Sequence, residues 1–498
     1  MNMVFPLTKT FTKGYFMSNP DIPPIITWIT HLQELSIPFQ KHGSFLPEQR
    51  ELLDRVYKKM EHSDKKVWIF DAPPASGKTH VICLLSRAFR ESGQTIAIVV
   101  PSNYLQEDFR NACSDICGGL PNIDIMNLHE YLKTDKQYDY VIVDEAHNLK
   151  SFWEFEGQAV KNFNFSLSDK FYLNFLARYL PSERNFVARQ ISFASAKDML
   201  DGLKREPGFK AKLQKVLDNP TSWRCFVYIW KEINVCTLKF VQLDDLRTFK
   251  LPNKHLLLFS ATQLSDGELN FYCGISCDII DRAEPVKSSA EWRNNQRLCI
   301  SVKDSLSDAD KLVLLKTLIK ESNSRTLVLF NNFAKCAKAF KEINKNSNSV
   351  FLLPNRAPEK PEAYKAFLNL PNGVLFTSST VFWEGVTIKE LKLLIVIDPP
   401  FPRPRFIELL KGRPSNGKVD MARRLEQGLG RVGRKKGDSG IAILCFDLNR
   451  VGGSTFRNMF PNLKLFALSS YESVLIVHKF FIDKSISVQS AIRDLINN

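Results

Sequence analysis

Three clusters in this chain have the residue types and spacing to do chemistry. The first is DAPPASGKTH at 71–80, between the apolar run Val67-Trp68-Ile69-Phe70 and the helix-like Val81-Ile82-Cys83-Leu84-Leu85. In a strand, loop and helix of this build, backbone N–H groups and the helix N-terminus face phosphates, a Lys reaches the β and γ oxygens, and a Thr hydroxyl binds Mg²⁺. Those roles fall to Gly77, Lys78 and Thr79. The pattern G-x-x-x-x-G-K-[ST] wants Gly at 72 and finds Ala72, so the stretch alone also reads as a turn before a surface helix. The second cluster is Asp144-Glu145, at the end of the strand-like Tyr140-Val141-Ile142-Val143. An acid there can hold the Mg²⁺ that Thr79 also holds, and the adjacent Glu can polarise an attacking water. The alternative, a helix N-cap followed by a first-turn acid, loses weight once Lys78-Thr79 upstream is counted. The third cluster is QGLGRVGR at 427–434. Arg431 and Arg434 share a helical face, and their planar donors suit bidentate contact with phosphate oxygens, as fingers that stabilise charge in a transition state.

These clusters need strands that end together and a second domain that closes on the first. A β-branched run at Thr95–Val100 ends in Pro101-Ser102-Asn103, small polar residues at the carboxyl end of a buried parallel strand, where open α/β sheets place ligand contacts. Leu256–Phe259 reads as a further strand ending in Ser260-Ala261-Thr262. Gln49, in a helix-like stretch before the cradle, can hydrogen-bond an adenine edge or can simply be a surface helix residue. Between 149 and 255 aromatic and apolar residues recur at helical spacing, as in Phe171, Phe175 and Tyr179 or Leu203, Phe209 and Leu213, which predicts a mainly helical insertion with a return strand near Val235–Leu243. Its interleaved basic and aromatic residues suit either a helical core or a stacking surface for single strands. After a linker-like stretch at Arg282–Arg297, a second α/β pattern has strands at Thr326–Phe330, Val374–Thr377, Leu393–Ile397 and Ile441–Phe446. The polar strand ends there are Asn331-Asn332 and Thr377-Ser378-Ser379.

Composition narrows the class. A chain of 498 residues suits two or three domains, and 44% hydrophobic with 24% charged residues is a globular composition. The net charge of +15 suits a polyanionic partner, although solubility alone accounts for many basic proteins. No apolar run approaches the roughly 18–20 residues of a membrane span and no signal-peptide core opens the chain, so an intracellular protein with no membrane partner is expected. The ten cysteines contain no CxxC and are expected to be mostly reduced core thiols.

The ordered series of segments resembles the superfamily 2 helicases, and within them the XPD/DinG-like branch. It runs through the Gln49 element, the cradle, Pro101-Ser102-Asn103, DEAHN at 144–148, SAT at 260–262, Phe330-Asn331-Asn332, FWEGV at 382–386, Pro399-Pro400-Phe401-Pro402 and QGLGRVGR at 427–434. The resemblance implies an α/β protein of two RecA-like P-loop NTPase domains with ATP in the cleft: an extension at 1–44, domain 1 at 45–282 with an arch-like insertion at 149–250, and domain 2 at 283–498. It implies that Gln49, Ala75, Ser76, Gly77, Lys78, Thr79, His80, Asp144 and Gly385 bind Mg-ATP, with Thr79 and Asp144 on the metal. Glu145 activates water, Gln427, Arg431 and Arg434 complete the site with Lys78, and His147, Ser260 and Thr262 couple the halves. Strand contacts fall to Pro101, Ser102, Asn103, Asn331, Asn332, Thr377, Ser378 and Ser379. Single-stranded or tailed duplex DNA is the implied track, with 5′→3′ movement. RNA, and a helicase-fold scaffold or nucleotide switch that does not unwind, stay open beside it.

Three departures from the family pattern stand out. Ala75 replaces a favoured Gly, and Thr387 follows Glu384-Gly385-Val386 where the family tends to carry Asp. The family often places four Cys ligands of an iron–sulfur cluster between the Pro101-Ser102-Asn103 element and the Asp-Glu pair, where this chain has only Cys113 and Cys117. Two thiols cannot make a four-cysteine site. Anaerobically purified protein is therefore expected to lack stoichiometric iron and cluster absorbance, which iron analysis and a visible spectrum check.

Overall fold

The computed structural model describes Leu32 and residues 45–483, apart from 74–75, 118–122, 155–159, 167–185, 193, 195–217, 220, 222, 231–234, 243–248, 263, 287–296, 304–305, 345–347, 354–361, 379, 384–387, 403–404, 412–416, 434–439 and 460–464. Two parallel sheets and one antiparallel sheet organise these residues.

The first parallel sheet contains β1 (Val67–Asp71), β2 (Ile96–Val100), β3 (Ile123–Asn127), β4 (Tyr140–Asp144), β9 (His255–Ser260) and β10 (Ile280–Arg282), in the order β10-β1-β9-β4-β2-β3. Its central strands are continuous β-branched and aromatic runs because both faces are covered: helices such as Lys78–Glu91 and Asn103–Cys117 lie on one side, and a second apolar cluster lies on the other. The register decides what meets at the edge. Asp71 pairs with Ser260 and Asp144 with Phe259, so the cradle, the Asp-Glu pair and Ser260-Ala261-Thr262 leave the sheet side by side.

The second parallel sheet is seven-stranded: β11 (Arg297–Val302), β12 (Thr326–Leu329), β13 (Val350–Leu352), β14 (Val374–Thr377), β15 (Leu393–Val396), β16 (Gly440–Leu444) and β17 (Leu465–Leu468), ordered β13-β14-β12-β15-β16-β11-β17. Leu329 is in register with both Thr377 and Val396, which brings the polar ends of β12, β14 and β15 to one edge. At the opposite, amino-terminal edge of these strands, buried Arg325 donates to the carbonyls of Leu368, Leu370 and Lys389.

The insertion departs from the helical expectation. Its described part is a four-stranded antiparallel sheet, β5 (Val160–Ser166), β6 (Phe186–Ile191), β7 (Trp223–Trp230) and β8 (Val235–Gln242), ordered β5-β8-β7-β6. The stretch WRCFVYIW is rich in aromatic and β-branched residues, which suit a pleated surface, and it finds a full-length antiparallel partner in VCTLKFVQ. The residues whose helical spacing suggested otherwise, Phe171, Phe175, Tyr179, Leu203, Phe209 and Leu213, lie outside the described ones. Phe226, Tyr228 and Val241 of the insertion pack into the same core as Val141, Val143 and Leu149.

That core also receives a side chain from the far half of the chain. Ile407, in the short helix Phe406–Leu410, is fully buried among these residues. Among the described residues, no helix is long and apolar enough to cross a membrane. Ile407→Ala is expected to cost about 2–4 kcal/mol through the cavity it leaves, a loss that a chemical denaturation series reads directly.

Candidate active site

The cradle is shaped by one glycine. Gly77 has φ of +80°, and a Cβ there would sit 2.3 Å from Gln49 Nε2, so conformation and space both require Gly. Gln49 is buried beneath it and accepts a hydrogen bond from Leu46 N–H through Oε1 at 2.8 Å, which closes the start of the helix Pro47–His62. Gln49 therefore braces the loop, with its amide against Gly77. Lys78 Nζ lies in the loop and donates to the carbonyls of Ala72 at 3.2 Å and Pro73 at 3.5 Å. Ser76 is fully buried, and its Oγ has no hydrogen-bond partner. Thr79 is half-buried in the first turn of the helix Lys78–Glu91. The ring of His80 meets Phe45 edge-on at 6.0 Å, and burial lowers the imidazole's pKa.

The two acids occupy different environments. Asp144 ends β4 in a buried position, with Oδ1 unpartnered. Burial and the neighbouring Glu145 push its pKa up to about 7, against the pull of Lys78 and His147. A buried carboxylate oxygen without a donor, close to Lys78, is what a Mg²⁺ ligand looks like before it meets its cation. Thr79 and Asp144 would hold that ion. Glu145 sits at φ +49°, a left-handed conformation that costs a non-glycine residue roughly 1–3 kcal/mol and is found at functional sites. The bend turns the chain straight from β4 into a 3-10 turn, Ala146–Glu154.

His147, on that turn, links the strand ends. Its Nδ1 lies 2.9 Å from Ser260 Oγ, which is 3.5 Å from Glu145 Oε2 and also accepts from Thr262 N–H at 3.1 Å. Its Nε2 faces Gln427 Nε2 at 3.0 Å, and the same amide donates to Thr262 Oγ1 at 3.1 Å. Because an amide NH₂ only donates, His147 Nε2 accepts and its proton lies on Nδ1. Gln427 thus brings the far half of the chain onto the turn that follows Glu145. Arg431, also buried, donates Nη2 to the Trp383 carbonyl at 3.1 Å, and the Trp383 ring lies directly over Gly428.

Beside these contacts lies an ion cluster that sequence reasoning missed. Lys150 Nζ bridges Glu268 Oε1 at 2.6 Å and Asp420 Oδ1 at 2.7 Å. Arg423 pairs with Glu268 at 3.1 Å and Asp420 at 3.4 Å, and Arg405 with Asp420 at 3.3 Å and Glu408 at 3.2 Å. Tyr272 donates to Glu408 at 2.6 Å. Burial opposes the ionisation of Glu268, yet Arg423 and Lys150 hold its carboxyl at about 2. Removing one member of such a buried set costs about 3–5 kcal/mol, because its partner is left charged and dry. The signal for part of it was present: Asp420, Arg423 and Gln427 have i, i+3, i+7 spacing, which puts them on one helical face.

The expected strand contacts are placed unevenly. Pro101 and Ser102 are half-buried after β2, and exposed Asn103 accepts from Asn127 Nδ2 at 2.7 Å. Asn331 is exposed, whereas Asn332 Oδ1 accepts from Ala334 and Lys335 N–H and so caps the helix Phe333–Ile343. Thr377 is fully buried, and Ser378 is half-buried beyond it. Ala75, Ser379, Gly385 and Arg434, with Glu384–Thr387 as a whole, lie outside the described residues.

Residues 315–463 match the family described as the Helicase C-terminal domain. The chain is 26% identical over 164 residues to the ATP-dependent DNA helicase YoaA of Escherichia coli; the match covers 30% of this chain and 25% of YoaA, so the chain spans about a quarter of that relative's length. Among solved structures it is similar to S. cerevisiae Dbp5 bound to RNA and ADP BeF3, with a TM-score of 0.55 at 13% identity over 91% of this chain and 96% of that one. It is similar also to S. tokodaii Xpd4, with a TM-score of 0.51 at 14% identity over 84% of this chain and 99% of that one. The fold is the mixed α/β, two-domain RecA-like fold of helicases, and residues 315–463 match the helicase C-terminal domain within it. Within that class the C-terminal-domain match, the YoaA match and the likeness to Xpd4 support an XPD/DinG-like helicase.

With Asp144 titrating near 7, Mg-nucleotide binding must displace its proton at acid pH. Titration calorimetry with a magnesium-bound, non-hydrolysable ATP analogue is expected to give roughly tenfold tighter binding at pH 8 than at pH 6. Asp144→Asn is expected to flatten that dependence.

Proposed function

We propose that this protein is an ATP-driven translocase that unwinds nucleic acid, with DNA as its track and 5′→3′ as its direction. The observation that carries the reading is Gln427 meeting His147 and Thr262, because it ties the far half of the chain to the turn that Glu145 opens. Bound Mg²⁺ supplies charge neutralisation on the phosphates. Lys78 leaves its loop carbonyls for phosphate oxygens, and the backbone N–H groups around Gly77 line the cradle. Glu145, half-buried at its bend, takes the proton of the attacking water. The cluster around His147 registers whether the halves are together, so that turnover alternates grip and release of a strand laid across Asn103 and Asn331.

DNA is favoured by the E. coli relative's name and by the XPD-like branch, and the charge of +15 suits either nucleic acid. The test is unwinding of matched 5′-tailed and 3′-tailed DNA and RNA duplexes, together with ATP turnover. The expected result is strand-stimulated turnover and opening of the 5′-tailed DNA alone. Lys78→Ala is expected to abolish turnover with the fold intact, and Arg431→Ala to lower kcat by on the order of 10³ while nucleotide binding persists. Turnover that survives Lys78→Ala would remove the cradle from the mechanism, and opening of RNA or of 3′-tailed DNA would reassign the track.

A further inference from the structure

The ion cluster touches neither the cradle nor Arg431, yet it is built on the two segments that carry the reacting groups. The turn Ala146–Glu154 follows directly from Asp144-Glu145 and presents both His147 and Lys150. The helix Gly417–Leu429 presents Asp420, Arg423 and Gln427 on one face, and Arg431 follows two residues after its end. Two contacts therefore join the same pair of segments: Gln427 Nε2 to His147 Nε2 at 3.0 Å, and Asp420 Oδ1 to Lys150 Nζ at 2.7 Å. Their helix positions are seven residues apart, about 10 Å along the axis. One contact would leave the helix free to pivot about Gln427. Two separated contacts fix its rotation and its slide, and Arg423, held by Glu268 on the neighbouring helix Asp266–Cys273, adds a third point.

Adhesion alone does not require ions here. Ile407 already joins the halves by apolar packing, and buried ion pairs hold no general advantage over apolar contacts in stability. What they add is direction, because opposite charges at fixed positions accept one register and reject its neighbours.

We infer that Lys150, Asp420, Glu268 and Arg423 are positioning residues for ATP hydrolysis, which set the register of the helix Gly417–Leu429 against the turn that carries His147. They act through Gln427 and Arg431. The inference rests on the proposed ATP-driven activity, and one of its readouts is independent of that activity.

The experiment compares full-length wild type with Lys150→Met, Lys150→Arg, Asp420→Asn and the Lys150→Met/Asp420→Asn double variant, with Ile407→Ala as the apolar control. Single-stranded-DNA-stimulated turnover gives kcat and KM, and amide hydrogen exchange of the nucleotide-free proteins gives protection along residues 417–429. Lys150→Met and Asp420→Asn are each expected to lower kcat roughly tenfold with KM for ATP within about twofold, and the double variant to be no worse than either single one. Lys150→Arg is expected to recover most of the loss. Ile407→Ala is expected to lower stability and leave kcat near wild type, which a merely adhesive role of the ions would not distinguish from Lys150→Met. Exchange along 417–429 is expected to speed up in Lys150→Met alone among the point variants that keep Asp420. A kcat within twofold of wild type in folded Lys150→Met, multiplying losses in the double variant, or unchanged exchange would each overturn the inference. A wild type without stimulated turnover would sink the ATPase reading instead, and the exchange comparison would then decide the positioning role by itself.

Discussion

Three cations and three carboxylates lie buried or half-buried between the two halves of this molecule, and none could stay there without the others. Lys150, Arg405 and Arg423 balance Glu268, Glu408 and Asp420, so the cluster is neutral as a set although each member is charged. The constraint reaches outward from there. Lys150 fixes the turn that follows Glu145, Asp420 and Arg423 fix the helix that ends near Arg431, and Arg405 fixes the segment that carries Ile407 into the first core. The cradle and the apolar clusters then have a common frame.

The placement of the three strand-end motifs was legible because each is contiguous in sequence. A Gly-Lys-Thr after a buried strand, two acids after another and Ser-Ala-Thr after a third are each contiguous, and the parallel register only had to set them side by side. The core strands were legible for a related reason: runs such as Tyr140–Val143 and Leu393–Val396 are covered on both faces and therefore read as unbroken apolar stretches. The insertion was legible only in its return strand, Val235–Gln242, because helical spacing of residues outside its described strands drew attention from WRCFVYIW, the antiparallel partner of that strand. Side chains that serve the backbone were also hidden. Asn332 also caps a helix and Gln49 also braces the loop beneath Gly77, contacts that only the fold supplies. The ion cluster was illegible in principle, since its members are drawn from 150, 268, 405, 408, 420 and 423 and only folding gives them partners.

Glu145 and Gly77 hold the same left-handed backbone for opposite reasons. Gly77 adopts it at no steric cost, and the missing Cβ makes room for Gln49. Glu145 adopts it at a cost, which the buried contacts of β4 on one side and of His147 on the other must hold in place. The strain aims a carboxylate that an unstrained chain would carry elsewhere. The acid next to buried Asp144 is thereby left half-exposed.

The burial of Ile407 bears on how the molecule divides. By sequence the second half begins after residue 282, yet the helix Phe406–Leu410 contributes to a core whose other walls are the first sheet and the insertion. The cut that a chain diagram invites would leave an apolar socket open on one fragment and a bare hydrophobic plug on the other. The first core thus draws on residues past 400, so a fragment cut at 282 would lack one of its walls.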